Sequence, residues 1–254
     1  MITLEICASS ITSALAAQEG GAIRIELCDN LYDGGTTPSP GQILTARKLL
    51  KIKLYVLIRP RGSDFLYNDI EFETMLADVK YCIEAGCDGI VTGILKADGS
   101  IDKKRCLQLV QLAKQAGLGA TFHRAFDMCA DQFRAMEDII EVGFERILTS
   151  GGKSTAIEGS RTISELVKKA NGRISIMAGS GITEINVADL IMFTGINEIH
   201  GTLLAPVKSK MQFINDHIVM GSNYGDEYAL DITCTERVRN VVKKANAGVF
   251  KNFI

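Results

Sequence analysis

Two glutamate–cysteine triplets stand near the start of the chain, Glu5-Ile6-Cys7 and Glu26-Leu27-Cys28. Paired thiolates are ligands for soft ions such as Cu(I). A free cysteine is also among the most buried residue types and packs as a small hydrophobe, so residue type alone leaves both readings open. A second set of residues has other chemistry. Arg59 and Arg61 are placed to clamp an anion bidentately, and His123 or His200 to act as general acid or base with Glu26 or Glu198 orienting it. Gly179-Ser180-Gly181 offers backbone N–H groups to an anion such as phosphate. Glu5, Glu26, Glu198 and a histidine make an oxygen-rich set for a hard divalent ion. Cys129 is a further candidate ligand in a loop.

These residues need a scaffold that brings them together, and one unit recurs along the chain. An amphipathic helix ends near a glycine, and a short strand follows after two or three residues. Examples are Glu84-Ala85-Gly86 before Gly89-Ile90-Val91-Thr92, and Glu141-Val142-Gly143 before Arg146-Ile147-Leu148-Thr149. Glycine just past a helix supplies the left-handed cap at little cost. Helix and strand alternating through short connections predict a parallel sheet. The pattern predicts eight strands, near 2–7, 22–28, 53–59, 88–93, 118–123, 146–150, 174–178 and 196–200. Helices are expected near 10–19, 40–50, 70–85, 102–116, 131–142, 160–171, 183–193 and 232–246. Eight units without a linker predict one α/β domain over 1–254, a closed (β/α)8 barrel of the TIM type. Segment 201–231 reads as an irregular insertion between strand eight and the last helix.

Alternation along each strand sorts the faces. Ile2, Leu4 and Ile6 share one parity, as do Ile23, Ile25 and Leu27, and Leu54, Val56 and Ile58. That leaves Glu5 and Cys7, Arg24, Glu26 and Cys28, and Tyr55 and Arg59 pointing into the barrel. Thr121, His123, Glu198 and His200 join them. Barrel interiors are normally filled by branched apolar side chains, and buried charge is costly unless paired. The interior concentration of Glu5, Glu26, Arg59, His123, Glu198 and His200 therefore predicts a functional pocket at the carboxyl ends of the strands. A self-satisfying ion-pair network is the competing account.

Composition narrows the function classes. At 254 residues the chain matches one barrel of about 250 residues, with 46% hydrophobic content. A formal net charge of −2 gives no reason to expect nucleic-acid or membrane partners. Seven cysteines, an odd number, predict reduced thiols in the cytosol rather than a disulfide framework. Ile2–Cys7 already alternates like a strand, so no secretory leader is expected.

Several segments together resemble the CutC copper-homeostasis family. They are Arg24-Ile25-Glu26-Leu27-Cys28, Gly34-Gly35-Thr36-Thr37-Pro38-Ser39, Ile58-Arg59-Pro60-Arg61-Gly62 with Asp64-Phe65, and Thr121-Phe122-His123-Arg124-Ala125-Phe126-Asp127. Ile147-Leu148-Thr149-Ser150-Gly151, Met177-Ala178-Gly179-Ser180-Gly181 and Glu198-Ile199-His200 complete the series, in order from the first strand to the eighth. The resemblance implies a TIM-type barrel, a cytoplasmic role in copper handling, and a homo-oligomer (dimer or tetramer). It implies Cys7 and Cys28 as Cu(I) ligands, with Glu5, Glu26 and His123 shaping the local charge. The alternative from the residues is an enzyme acting on a small phosphorylated or carboxylated metabolite by His/Glu acid–base chemistry. A non-catalytic binding subunit, with a partner surface in 201–231, is a third reading.

Overall fold

The computed structural model describes residues 1–215, 217, 218, 220 and 226–247. Parts of the predicted 201–231 insertion (216, 219 and 221–225), and the end of the expected domain at 248–254, lie outside the described residues. Eight parallel strands close into a barrel in sequence order: β1 Thr3–Ala8, β2 Arg24–Leu27, β3 Lys53–Leu57, β4 Gly89–Thr92, β5 Gly119–Phe122, β6 Arg146–Thr149, β7 Ser175–Gly179 and β8 Glu198–Gly201. Seven helices connect them: α1 Ile11–Gly20, α2 Pro40–Leu49, α3 Asp69–Glu84, α4 Lys103–Gln115, α5 Gln132–Val142, α6 Ser160–Ala170 and α7 Val187–Thr194.

Local chemistry starts and stops these helices. Ser10, Ser39, Asn68, Asp102 and Asp131 cap α1 to α5 by accepting backbone N–H bonds, and Asn68 with Glu71 forms a full capping box. Gly21, Gly143 and Gly195 end α1, α5 and α7 in the left-handed conformation. The predicted alternation appears as two separate apolar clusters. Ile25, Leu27, Leu54, Val56, Ile90, Phe122, Ile147 and Ile199 face outward into the helix-covered core. Cys7, Cys28, Tyr55, Leu57 and Val91 pack together on the inside.

Two boundaries differ from expectation. The helix expected near 183 begins at Val187 instead. Asn186 holds the intervening turn, accepting from the Thr183 N–H and donating to the Gly181 carbonyl. The 201–231 segment is not irregular throughout. β9 Leu204–Lys208 and β10 Ala229–Thr233 form an antiparallel pair beside the barrel. The last helix, α8 Thr235–Ala247, therefore starts after Thr233, since Ile232 and Thr233 are paired with Ala205 and Leu204. Among the described residues, no helix is long and apolar enough to cross a membrane.

Candidate functional site

Strand register sets the layers of the barrel interior. Glu5 on β1 lies level with Arg24 on β2 and His200 on β8, and one step higher Cys7 lies level with Glu26. The lower layer is an ion-pair network. Arg24 donates to Glu5 through Nε and to Glu198 Oε2 through Nη2 at 2.5 Å. Arg146 donates to the same Glu198 oxygen at 2.6 Å, to Glu145 at 2.8 Å and to Thr121 Oγ1 at 3.1 Å. Ser175 donates to the other Glu198 oxygen at 2.6 Å, and Tyr55 to Glu145 at 2.6 Å. Both guanidinium groups also lie against the Tyr55 ring. Each buried charge here is paired and hydrogen-bonded, the condition under which such burial is tolerated. In this layer the account of a self-satisfying network holds.

Above it the pairing thins out and the chemistry begins. A cavity of about 500 Å³ opens at the carboxyl ends of the strands, with Cys7, Glu26, Arg59, His123, Arg124 and His200 in its wall. Cys7 Sγ and Cys28 Sγ are 3.4 Å apart, and both side chains are buried. His200 bridges the layers, with Nδ1 2.8 Å from Glu5 Oε1 and Nε2 3.5 Å from Glu26 Oε2. Among the described residues, Cys7, Glu26 and His200 form the group whose ligand atoms lie close enough to share a metal ion, all within 4.8 Å of one another. Cys7 belongs to both the thiol pair and this triad.

Environment separates the titrating groups. Burial raises Glu5, but Arg24 and His200 outweigh it and hold the carboxyl near 2. Burial raises Glu26, which has no arginine bonded to it. Burial alone would lower His200, yet the bond to Glu5 and the charge on Glu26 lift it above its ordinary value. The hydrogen bond to Cys28 and burial push the Cys7 thiol well above the usual range. His123 goes the other way: burial and the nearby Arg59 push it down to about 3.

The remaining predicted site residues fall into three groups. Arg59 lines the cavity, but its Nη1 donates to the carbonyls of Asp33 (2.9 Å) and Gly35 (2.6 Å) and its Nη2 to that of Ser63 (2.8 Å). It fastens two loops rather than offering a free fork. Arg61 does not join it. Its guanidinium is held by Glu71, Asp64 and the Leu66 carbonyl, away from the cavity wall. Ser180 and Gly181 line the cavity with positive φ values of 77° and 71°, and Gly179 sits just below, paired with His200. Because α7 starts at Val187, no helix N-terminus follows that turn directly, and Ser180 Oγ donates to the Ser154 carbonyl at 2.8 Å. Cys129 donates to the Ala125 carbonyl and lies outside the triad. Cys82, Cys87 and Cys106 are buried in the outer core.

Sequence reasoning placed Arg24 inside but did not count it among the interior charges, and it left Arg146 without a face. The signal was present in β6: Ile147 faces the outer core while Leu148 lines the cavity, so Arg146 shares the inward parity. Arg237, from α8, also reaches the cavity wall and carried no sequence signal.

The CutC family profile matches residues 2–205, which span all eight barrel strands. The chain belongs to the CutC family. A family protein CutC from Bacteroides fragilis is 43% identical over 247 residues, covering 96% of this chain and 98% of that one. Another from Bacteroides thetaiotaomicron is 46% identical over 241 residues, covering 94% and 96%. The crystal structure of the candidate copper homeostasis protein CutC from Streptococcus agalactiae superposes with a TM-score of 0.75 at 39% identity, covering 80% of this chain and 99% of that one. Phosphoribosyl anthranilate isomerase from Thermococcus kodakaraensis, at 12% identity and a TM-score of 0.61, shares the barrel fold alone.

Proposed function

We propose that this CutC-family chain handles copper, holding Cu(I) as cargo between Cys7 and Cys28 at the carboxyl ends of β1 and β2. The observation that carries this reading is the buried thiol pair at 3.4 Å, of which Cys7 lines the interior cavity. Thiolate sulfur is the soft donor that selects Cu(I). Metal–thiolate bonds are about 2.3 Å long, so two sulfurs at this spacing meet an ion at a bent angle. A bent pair leaves a side open for a third donor. His200 and Glu26 stand there, within 4.8 Å of Cys7 and of each other. The Glu5–His200 contact fixes the imidazole, the usual support for a metal-ligating histidine. Loading exchanges protons for the ion, since Cys7 rests as a thiol. The reading places the protein in the cytoplasm, where thiols stay reduced, as a homo-oligomer. Copper X-ray absorption of the Cu(I)-loaded protein tests the donor set. Two sulfur neighbours with one lighter donor are expected, and a shell of nitrogen and oxygen alone would contradict the proposal.

A further inference from the structure

Among the described residues, two buried donors in the cavity wall have no acceptor. His123 Nδ1 accepts the Ala125 N–H at 3.2 Å, so the ring proton resides on Nε2, which is buried and unpaired. Arg59 commits both terminal nitrogens to loop carbonyls, and its Nε–H is also buried and unpaired. The Tyr67 hydroxyl lies close enough to feel the Arg59 charge and is itself buried without a hydrogen-bond partner. His123 and Arg59 are each 5% exposed and line the same cavity. A buried donor without a partner carries its full desolvation cost, so two on one cavity wall need a reason.

Among the described residues, no carboxylate answers them. Glu26, the acid in the cavity wall, is engaged with His200 and Cys7. Phe65 lies against both donors, its ring 4.9 Å from the His123 ring and 5.0 Å from the Arg59 guanidinium carbon. An occupant reaching them passes this ring and sheds water, where hydrogen bonds to charge gain strength. The backbone also protects this arrangement. A Cβ on Gly93 would stand 2.9 Å from the His123 ring.

We propose that this wall of the cavity binds a small oxyanion, a carboxylate or phosphate group, through His123 Nε2–H and Arg59 Nε–H. The imidazole stays neutral and donates, and the guanidinium supplies the charge. The role differs from that of a general base, because the ring nitrogen that would accept a proton already takes the Ala125 N–H. The donors are not those of the thiol pair, so failure of the copper reading leaves the proposal standing.

Inorganic phosphate and malonate, titrated by calorimetry with long-range ¹H–¹⁵N spectra of the His123 imidazole, test the proposal. The expected result is that one of them binds and shifts the Nε2–H resonance, and which one does so names the class. His123→Asn keeps an acceptor for the Ala125 N–H, while its shorter amide does not carry an N–H to the position of Nε2. It should weaken binding about tenfold or more. A ring proton found on Nδ1, no shift with either anion, or wild-type affinity in His123→Asn would overturn the proposal. If His123→Asn fails to fold, the wild-type spectra alone give the answer.

Discussion

His123 and His200 are both inward on the strand pattern, and their surroundings drive them apart. His200 sits between two carboxylates and is raised, whereas His123 faces Arg59 and Phe65 and is lowered to about 3. His123 therefore links folding to pH. Between about 3 and 6.5 the unfolded chain protonates this histidine and the folded chain does not. Its contribution to stability is complete above pH 6.5 and falls as the pH drops through that window. At pH 5 the loss is about 2 kcal/mol relative to pH 7. Urea unfolding of His123→Asn at both pH values should show a correspondingly smaller pH dependence than wild type. An unchanged dependence would mean that the ring protonates freely in the folded protein. Arg24 and Arg146 make the complementary point: their interior charge was legible from parity, but only the register shows them converging on one oxygen of Glu198.

At the scale of elements, the barrel was readable because most units announce themselves twice, by a glycine stop and by a two-residue strand period, α2 with its Leu50 cap being an exception. β1, β2 and β3 alternate cleanly, and their inward residues were assigned as found. The β9–β10 pair was not legible because Pro206, with Gly and Asn nearby, reads as a breaker. In a two-stranded ribbon a strand has only one paired edge, and Pro206 fits opposite Asp231 without interrupting a ladder. Arg59 was misjudged as a clamp because its partners are carbonyls of a loop, whose path no side-chain pattern encodes. Gly35 sets that path. It has φ +87°, a Cβ there would stand 2.8 Å from Leu57 Cδ2, and its carbonyl accepts from Arg59. Gly86 has φ +72° with open space around it. Gly86→Ala should cost about 1–2 kcal/mol from backbone strain alone, and Gly35→Ala distinctly more in chemical denaturation. Equal costs would show that the Leu57 contact relaxes freely.

For the whole molecule, the barrel supplies a rigid floor and a reactive mouth. The floor is a closed set of ion pairs, and above it the cavity is lined by one thiol of a buried pair, a histidine between carboxylates, and two unpaired donors. The sequence carried both cysteines and both histidines to the correct end of the barrel. It could not show that Cys7 and Cys28 touch, because that depends on β1 and β2 being neighbours in a particular register. Nor could it show that Arg61 is drawn away by Glu71. The family relationship agrees with the barrel, while distant barrels of the same shape say nothing about the site. The most direct test is an anaerobic Cu(I) titration of the reduced protein against a competing chelator, for wild type and Cys7→Ser/Cys28→Ser, at two pH values. Cu(I) displaces thiol protons, so one tightly held ion per chain is expected in wild type, with affinity rising with pH. That binding should be lost in the double variant. Equal binding in the two proteins, or affinity independent of pH, would contradict the copper site proposed here.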